Sequence, residues 1–540
     1  MKLKELNNYL FKRYYREGYS ELQSVILANR TNEFNKNFLN PRLRDIQKPD
    51  QLETKNCDLE KAVNKLHETI NKGNRIALFT DYDVDGCTSM ALLYKVIKNE
   101  LNYDNVAIVY SDRNEGYGIT DKAIKRINNE NPHLVITADL GIGENKGISK
   151  INSDVIVTDH HLPPEEKSNA YAVLDPHLSE YESEICGCAV SWLYMISCLK
   201  KNKERMIDYL DYVALATIAD MMPMNKITNR FFVKAGINIF NKRLRPCWNF
   251  TPNNIDEGYF GFGLGPKINS CSRMKGLNKE AVKFLTEESM DGCEMYNDLL
   301  TSYNDARKTL QSNLYDRVLK NVDSNIIIYY DKNKHTGILG LTAGRLSDKF
   351  NAVSLIMCDT DEKNIVAGSA RSNNLLNLKE CFDEFEKENP KILNKYGGHS
   401  GAAGFNLNKK NVDKFEKLIK PFIADRIKGC IKEETYDYEL SYPSMDYLRQ
   451  IEELSPYGRL FERPLFYGEL TLKEFKVIGK TKEHCSMRLN DVKAVDFFSL
   501  ERHDYYKKRI NKTIKCIYDL QRNEYKGKTY LQIMIKKVLK

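Results

Sequence analysis

The chain has 540 residues, of which 42% are hydrophobic and 29% are charged. This length exceeds what one hydrophobic core organises and predicts about three or four domains, while the apolar content excludes general disorder. No apolar stretch approaches the ~20 residues of a membrane-spanning helix, and the first residues are polar without a secretory signal, so we expect a cytoplasmic protein that does not insert into a membrane. The 13 cysteines form no CxxC pair, which argues against disulfides and zinc fingers.

Basic charge is concentrated at the carboxyl end of the chain. The whole sequence has 82 Lys and Arg against 74 Asp and Glu, a net charge of +8. Residues 471–540 hold 18 basic and 8 acidic residues, a net of +10, so the remainder is nearly neutral. A basic terminal domain suits a phosphate backbone, because its Lys and Arg side chains release condensed counterions. A solvated basic face without a partner is the open alternative.

In chain order, the first predicted segment is a helical N-terminal extension over residues 1–60. Its role stays open between covering a sheet edge and binding a partner. Residues 61–240 then alternate short apolar runs with helical stretches, the pattern of βαβ units around a parallel sheet. The apolar runs are at 76–79, 106–109, 134–136 and 155–157. This segment is therefore the first predicted α/β domain.

Three further segments complete the predicted architecture. Residues 241–322 predict a helical connector, because no proline interrupts the charged helical stretch from 278 to 322. Residues 323–428 predict a second, smaller α/β domain, and the short β-like runs of residues 429–540 predict a small β-barrel. The expected fold class is therefore α/β, with a parallel-sheet domain and a smaller α/β domain joined by a long helix, plus a C-terminal barrel.

Three aspartates, Asp81, Asp83 and Asp85, directly follow the first predicted strand. The carboxyl ends of parallel strands meet at one edge of a sheet, which is where open sheets place their ligands. An apolar strand that leads into three carboxylates is electrostatically costly without cations among them. Oxygen ligands at this density favour Mg²⁺ or Mn²⁺ over zinc. A helix cap beside the dipole accounts for one of these aspartates, but hardly for all three.

The same placement recurs at the ends of later elements. Asp139 follows the third predicted strand, Asp159-His160-His161 follow the fourth, and Asp220 ends an apolar helix. Two divalent cations about 4 Å apart would share a bridging carboxylate, activate a water and stabilise both the entering and the leaving oxygen of a phosphoryl displacement. We predict Asp139 as the bridge, His160 as a metal ligand, and Asp159 and His161 as catalytic, with His161 on the phosphate.

These motifs, in this order, resemble those of the DHH phosphoesterase superfamily. Further matches resemble its RecJ-type single-strand-specific exonucleases. They lie at 113–118, 229–230, 266–269, 273–274, 368–372, 397–404, 456–458 and 523–532. The resemblance covers roughly residues 60–540 and implies a DHH domain, a DHH-associated domain and an OB-fold region. Phe79 stands where relatives often carry a His, so one metal site is expected to bind more weakly. Ser272 stands where the family usually has Gly.

The resemblance also implies roles for individual residues. The metal set would be Asp81, Asp83, Asp85, Asp139, His160 and Asp220, with His161 beside the scissile phosphate. The substrate-binding set would be Arg113, Tyr117, Asn269, Arg273, Ser369, Arg371, Gly397, Gly398 and His399. Within it, Arg113, Ser369 and Arg371 would hold the 5′-terminal phosphate, while Tyr117 would stack on a base. The Gly-Gly-His turn would let the backbone approach a phosphate closely, with a plain turn as the alternative.

The expected function is a metal-dependent 5′→3′ exonuclease that degrades single-stranded DNA to 5′-mononucleotides in repair, recombination or replication. The expected cofactors are two divalent cations, Mn²⁺ or Mg²⁺, and a monomer is expected to bind the strand. Recruitment by a single-strand-binding protein or a helicase stays open, as does cleavage of RNA. The alternatives are a phosphodiesterase for short oligonucleotides or cyclic dinucleotides, which needs no basic barrel, and a catalytically silent replication scaffold, which has no reason to keep clustered acids.

Overall fold

The computed structural model describes residues 2–320, 322, 324–430, 435–479, 482–525 and 527–539. Residues 1 and 323, which begin two of the predicted segments, and residue 540, which ends the last, lie outside this part. The side chain of Tyr525, an aromatic residue of the predicted barrel, also lies outside it. The N-terminal segment contains one short strand and three helices. They are β1 (Lys2–Leu3), α1 (Asn8–Arg16), α2 (Glu21–Arg30) and α3 (Leu59–Asn71). Side chains of α1 and α2 share one apolar core with the C-terminal part of the chain, so these helices pack against the C-terminal unit described below.

The first α/β unit contains five strands and six helices. They are β2 (Ile76–Thr80), α4 (Val84–Asn99), β3 (Val106–Val109), α5 (Asp121–Asn129), β4 (Leu134–Ala138), α6 (Asn145–Ile148), β5 (Asp154–Thr158), β6 (Ala172–Leu174), α7 (Gly187–Cys198), α8 (Leu210–Ala219) and α9 (Ile227–Asn241). The sheet order is β3-β2-β4-β5-β6 and every pairing is parallel. Ile76 and Leu78 pack on one face while Ala77 and Phe79 pack on the other, so both faces are buried. The predicted parallel sheet is confirmed.

The connector that follows is helical, but it is broken before its longest helix. Its helices are α10 (Glu257–Tyr259), α11 (Gly265–Lys275), α12 (Lys279–Thr286) and α13 (Met290–Leu319), with a π-helical turn at Phe260–Leu264. The uninterrupted stretch expected from residue 278 is interrupted because Glu287 adopts an extended conformation and Ser289 caps a new helix, accepting a hydrogen bond from the N–H of Gly292. The long connecting helix is therefore α13, which has 30 residues.

The second α/β unit has a mixed five-stranded sheet. Its elements are β7 (Ile326–Asp331), α14 (Leu339–Phe350), β8 (Val353–Asp359), β9 (Ile365–Arg371), α15 (Leu378–Glu388), β10 (Leu393–Gly398), β11 (Ala402–Asn408) and α16 (Val412–Arg426). The order is β10-β11-β9-β8-β7, and only β7 and β8 are parallel. Helix α14 packs against β8 and β9, which brings its first turn to the carboxyl end of β9.

The C-terminal unit contains a closed barrel formed by the last five of its seven strands. Its elements are β12 (Thr435–Tyr436), β13 (Tyr438–Glu439), α17 (Met445–Glu453), β14 (Phe466–Ile478), β15 (His484–Leu489), β16 (Val492–Asp496), α18 (His503–Lys507), β17 (Lys512–Tyr525) and β18 (Lys528–Leu539). Strand β14 pairs with both β15 and β17, which closes the barrel and removes its free edges. The predicted fold class, with its terminal barrel, is confirmed.

A single buried guanidinium ties three segments together. Arg230 on α9 is 0% exposed and donates hydrogen bonds to the carbonyl oxygens of Phe38 (3.0 Å), Leu454 (2.7 Å) and Pro456 (3.0 Å). The rings of Phe38 and Phe461 flank it, with their centroids 4.4 and 4.7 Å from its Cζ. The N-terminal segment, the first α/β unit and the barrel unit are thus joined at one point. Among the described residues, no helix is both long and apolar enough to cross a bilayer.

Candidate metal centre and nucleic-acid interface

Four acids meet at the carboxyl edge of the first sheet. Asp81 follows β2, Asp139 follows β4 and Asp159 follows β5, so the parallel register places them side by side. Asp220 reaches the same place from the end of α8. The turn after β2 is tight: a Cβ on Gly86 would lie 2.1 Å from the carbonyl oxygen of Asp81, so only glycine fits there. The strand ends and this turn together build a carboxylate cluster.

The structure brings the predicted metal residues into three overlapping groups whose potential ligand atoms lie within 4.8 Å of one another. The groups are Asp139, His160 and His161; Asp85, His160 and Asp220; and Asp81, Asp83 and Asp139. Asp139 and His160 each belong to two groups, and Asp139 is the carboxylate that two of these groups share. Its backbone is in the left-handed region, at φ 60°, which Asp tolerates better than most residues.

His160 is at the centre of the cluster. Its Nε2 lies 3.2 Å from an oxygen of Asp139 and 3.7 Å from oxygens of Asp85 and Asp220. Burial, together with the neighbouring His161, lowers the pKa of His160 to about 4. A neutral imidazole keeps a nitrogen lone pair available, which is the form that binds a metal ion.

Three acids of the cluster have no Lys or Arg partner among the described residues. Burial raises the pKa values of Asp81, Asp139 and Asp220 well above their usual range, and neighbouring carboxylates raise them further. In the described part of the chain, no Lys or Arg nitrogen lies within 4.0 Å of these three carboxylates. Divalent cations would relieve this repulsion, and a set of carboxylates with an imidazole is the donor chemistry that Mn²⁺ and Mg²⁺ accept. The residues present therefore fit such ions.

Asp85 also has a structural role in addition to its place in the cluster. One of its oxygens accepts a hydrogen bond from the N–H of Gly187 (2.6 Å) and the other from the N–H of Cys188 (2.7 Å), at the start of α7. A Cβ on Gly187 would lie 2.9 Å from the Cβ of Asp139. Asp85 thus holds the first turn of α7 directly against Asp139.

Asp159 orients His161. One Asp159 oxygen accepts hydrogen bonds from Nδ1 of His161 (2.8 Å) and from the N–H of His160 (2.8 Å), and the other accepts from the N–H of Ile142 (2.9 Å). Although burial opposes the charged form of His161, the bond to Asp159 raises the pKa of His161 to about 9. Burial alone would raise the pKa of Asp159, but its bond to His161 lowers it. The hydroxyl of Tyr117 is 3.4 Å from Nδ1 of His161, which brings this predicted base contact to the same edge.

The predicted arginines follow the cluster toward the second α/β unit. Arg113 lies over the ring of Tyr82, 4.1 Å from its centroid, and its Nε donates a hydrogen bond to Ser272 Oγ (3.2 Å). Arg273 donates from Nη1 to the carbonyl oxygen of Gly337 (2.9 Å), which belongs to the second unit. Neither guanidinium has a carboxylate within 4.0 Å among the described residues. The arginines are therefore available to an anion that lies along this path.

Ser369 and Arg371 lie side by side on β9. Nη1 of Arg371 donates to Ser369 Oγ (3.0 Å), and a Cβ on Gly340 would lie 2.8 Å from Arg371 Nη2, so the start of α14 is packed onto the pair. The sequence also allows a plain surface ion pair of Arg371 with Asp361 or Glu362. No such pair occurs among the described residues, and Asp361 pairs with Lys334 at 2.8 Å. The guanidinium and hydroxyl thus stand together, as the alternation along a strand predicts.

The Gly-Gly-His turn is placed differently. Gly397 and Gly398 end β10, and His399 lies exposed in the hairpin, its N–H donating to the carbonyl oxygen of Ala402 (2.8 Å). Gly398 is required by the hairpin itself, because its φ is +145° and a Cβ there would lie 2.3 Å from the Ala402 oxygen. Among the described residues, no hydrogen bond or ion pair links this turn to the carboxylate cluster.

The sequence matches the family models of three domains and is similar to known exonucleases. Residues 75–217 match the model of the DHH family, N-terminal domain, residues 323–425 match the DHHA1 domain, and residues 436–537 match the RecJ OB domain. The single-stranded-DNA-specific exonuclease RecJ of Haemophilus influenzae is 26% identical over 92% of each chain. The chain belongs to the RecJ-type nucleases of the DHH family. RecJ of Salmonella typhimurium is similar to this RecJ-type chain at 24% identity, over 88% of this chain and 89% of the relative.

Solved structures agree on the fold of the RecJ-type chain. The crystal structure of RecJ in complex with Mn²⁺ from Thermus thermophilus matches with a TM-score of 0.79 and 22% identity. The match covers 100% of this chain and 79% of that one. The arrangement of the two α/β units, connector and barrel is therefore common to both.

Two buried polar residues near the RecJ-type site were not predicted from the sequence. The side chain of Asn278 donates to the carbonyl oxygen of Asp81 (3.3 Å) and accepts from the N–H of Ser111 (3.1 Å), which fixes the end of β2 from almost 200 residues away in sequence. Asp175 follows β6 and is fully buried, and one of its oxygens has no partner among the described residues. Asp175 could have been found, because it ends a strand as Asp139 does. Nothing local marks Asn278.

Proposed function

We propose that this chain hydrolyses single-stranded DNA from its 5′ end to 5′-mononucleotides, using two divalent cations, Mn²⁺ or Mg²⁺, in DNA repair, recombination or replication. The proposal depends on two features that lie next to each other. Three overlapping carboxylate and imidazole groups lie at one sheet edge. Next to them begins a path of arginines that leads into the second α/β unit. A phosphodiester needs both features, one at the bond that breaks and the other along the strand.

The cluster would hold the cations between the ends of β2, β4, β5 and α8. The candidate ligands are Asp81, Asp83, Asp85, Asp139, His160 and Asp220. The related structures from Thermus thermophilus were solved in complex with Mn²⁺ and with Mg²⁺, which supports the choice of ions. Bound cations would supply an activated water and neutralise charge on the phosphoryl oxygens.

The chain's own residues position the reacting groups. Asp159 holds the proton of His161 at Nδ1, so the opposite nitrogen is presented outward to a phosphate oxygen. Asp85 keeps α7 against Asp139 and so fixes the bridging position. Arg113, Ser369 and Arg371 would hold the 5′-terminal phosphate, and Tyr117 would stack on a base beside His161. The basic barrel would follow the rest of the strand without reading its sequence.

Incubation of the purified protein with Mn²⁺ or Mg²⁺ and labelled single-stranded DNA tests this function. A 5′-labelled strand should release its label at once as mononucleotide, whereas a 3′-labelled strand should shorten progressively and a blunt duplex should remain intact. The matched variant is Asp139→Asn, because Asn removes the charge and still tolerates the left-handed backbone at this position. Strand binding without any cleavage by the wild type would favour a silent scaffold. Cleavage confined to dinucleotides would favour the short-substrate phosphodiesterase.

A further inference from the structure

A cleft adjoins the carboxylate cluster at the point where the connector meets the two α/β units. It has a volume of about 130 Å³. One wall comes from Ala219, directly before Asp220, and another from Leu341 in the first turn of α14. Arg273 from α11 and Arg307 from α13 lie in the same cleft. A ligand here would touch three parts of the molecule beside the metal centre.

Arg307 is buried without a countercharge. It is 8% exposed, and it donates to the side-chain oxygens of Asn304 (2.7 and 3.1 Å) and Gln311 (2.9 Å). No carboxylate lies within 4.0 Å of it in the described part of the chain. A guanidinium has five N–H donors, so these three bonds leave two of them for a ligand.

Two other buried arginines of this chain are paired with carboxylates. Arg245 is paired with Asp211 through two contacts of 2.7 and 3.1 Å, and Arg30 is paired with Asp437 at 2.9 Å. An unpaired buried charge is costly, so proteins pair it or neutralise it. Arg230 also lacks a carboxylate, but all three of its nitrogens donate to backbone carbonyl oxygens. Arg307 has neither a carboxylate nor acceptors for two of its N–H groups among the described residues.

Two further residues of the cleft can bind an anion. Arg273 is also unpaired with any carboxylate of the described residues, and burial, followed by the positive charges of Arg113 and Arg307, lowers its pKa to about 9. Asn269 lines the same cleft, and its buried side-chain oxygen has no hydrogen-bond partner among the described residues. The amide of Asn269 can turn its NH₂ group to an acceptor. Two guanidiniums and an amide in one cleft match the oxygens of a phosphate.

We propose that Arg307, with Arg273 and Asn269, forms a subsite for the phosphodiester that neighbours the scissile phosphate on a bound single strand. The proposal rests on the proposed function in taking single-stranded DNA as the ligand. It assigns Arg307 a role in binding that its place on the connecting helix does not reveal. Because α13 leads from the first α/β unit to the second, occupation of the subsite would also fix the two units relative to each other.

The first test is the salt dependence of binding to a fluorescein-labelled oligothymidylate, measured by anisotropy in EDTA so that the strand stays intact. Arg307→Gln should weaken binding roughly 10-fold and make the slope of log K against log salt shallower by about 0.7, the value for one phosphate contact on a single strand. Arg307→Lys keeps the charge and should keep most of the slope. Lys308→Gln is the control, since it removes the same charge from an exposed residue that pairs with Asp305 on its own helix.

The second test locates the contact. Single phosphodiesters of the oligothymidylate are replaced in turn by neutral methylphosphonates. At one position next to the cleaved bond, the replacement should weaken binding by the wild type and have no further effect on Arg307→Gln, as in a double-mutant cycle. Effects that add at every position would overturn the proposal, as would an unchanged salt slope in a folded Arg307→Gln protein.

Failure of this proposal can be separated from failure of the proposed function. If the wild type does not bind the oligothymidylate, the choice of single-stranded DNA as ligand is wrong and both fall. If the wild type binds and cleaves while Arg307→Gln binds with the same affinity and slope, only the subsite falls. If Arg307→Gln loses inhibition by a free 5′-mononucleotide but keeps its slope on the strand, the cleft holds a product phosphate and the proposal is overturned.

Discussion

Two regions of this molecule bury carboxylates in opposite ways. In the barrel, Asp496 is 1% exposed and its oxygens accept hydrogen bonds from Nε and Nη2 of Arg502 (2.8 and 2.9 Å) and from the hydroxyl of Tyr506 (2.6 Å). At the edge of the first sheet, Asp81 and Asp139 are buried beside other acids, and among the described residues no arginine, lysine or hydroxyl group donates to their carboxylates. The first region is complete as the chain folds, whereas the second needs something from outside.

This difference separates stability from function. A buried pair that is fully satisfied is damaged by removing one partner. Removing one member of a cluster of like charges lowers the repulsion in the folded protein, so stability is kept. The cluster then loses affinity for its metal ligand. The two regions should therefore respond to substitution in opposite senses.

Asp139→Asn should have the largest effect on activity. We expect a loss of about 1,000-fold or more in kcat, because several kcal/mol of transition-state stabilisation depend on bound cations. In metal-free buffer the variant should be at least as stable as the wild type, since one repelling charge is gone. Exonuclease assays and chemical denaturation measure the two effects. A destabilised variant that keeps its activity would reverse the comparison.

Asp496→Ala should act on stability. It removes the buried carboxylate from Arg502, which keeps only the exposed Glu501, and leaves the Tyr506 hydroxyl without its acceptor. We expect a loss of about 3 kcal/mol in the free energy of unfolding, with the folded protein keeping its kcat. Urea denaturation measures it. Lys334→Ala is the control, because its pair with Asp361 is exposed and its loss should cost under about 0.5 kcal/mol. Equal losses in the two variants would contradict the distinction between them.

Adding Mn²⁺ should sharpen the comparison. With the ion at about 100 times its Kd, binding to the folded state should add about 2.7 kcal/mol to the stability of the wild type. Asp139→Asn should gain much less, and Asp496→Ala should gain as much as the wild type. Thermal unfolding with and without the ion, after treatment with EDTA, checks this. Equal gains in all three proteins would place the ion elsewhere.

Asp159→Asn should have the smallest effect of these changes at the centre. Asp159 acts through His161, and loss of such an orienting partner costs about 10- to 100-fold in activity or metal affinity. We expect kcat to fall while KM for the strand changes little. A rise in KM alone would mean that His161 serves binding instead of the reaction.

The sequence predicts much of this fold for physical reasons. Short apolar runs between helices specify a parallel sheet, and acids directly after those runs must meet at one edge, so the placement of Asp81, Asp139 and Asp159 follows from the pattern. The closure of the barrel and the packing of α1 and α2 against the C-terminal unit depend on contacts between distant segments. The break before α13 escapes a search for prolines, because a Ser cap inside a charged stretch needs none.

The site divides in the same way. Local motifs indicate the cluster, but the use of Asp85 as an anchor for α7 and of Asn278 as a brace for β2 depends on long-range packing. Arg307 is one charged residue among many on a long helix, and only its burial without a countercharge distinguishes it. The sequence reveals residues whose polarity differs from that of their neighbours in the chain, such as acids after an apolar strand. The structure is needed to find buried polar residues that have no partner.

The central claim is that the buried acids exist to hold divalent cations on both sides of Asp139. Anomalous diffraction at the manganese absorption edge, from crystals grown with Mn²⁺, tests it most directly. We expect two anomalous peaks that both contact Asp139, one toward His160 and one toward Asp81 and Asp83. A centre with no peak, or with a single ion that does not touch Asp139, would contradict it.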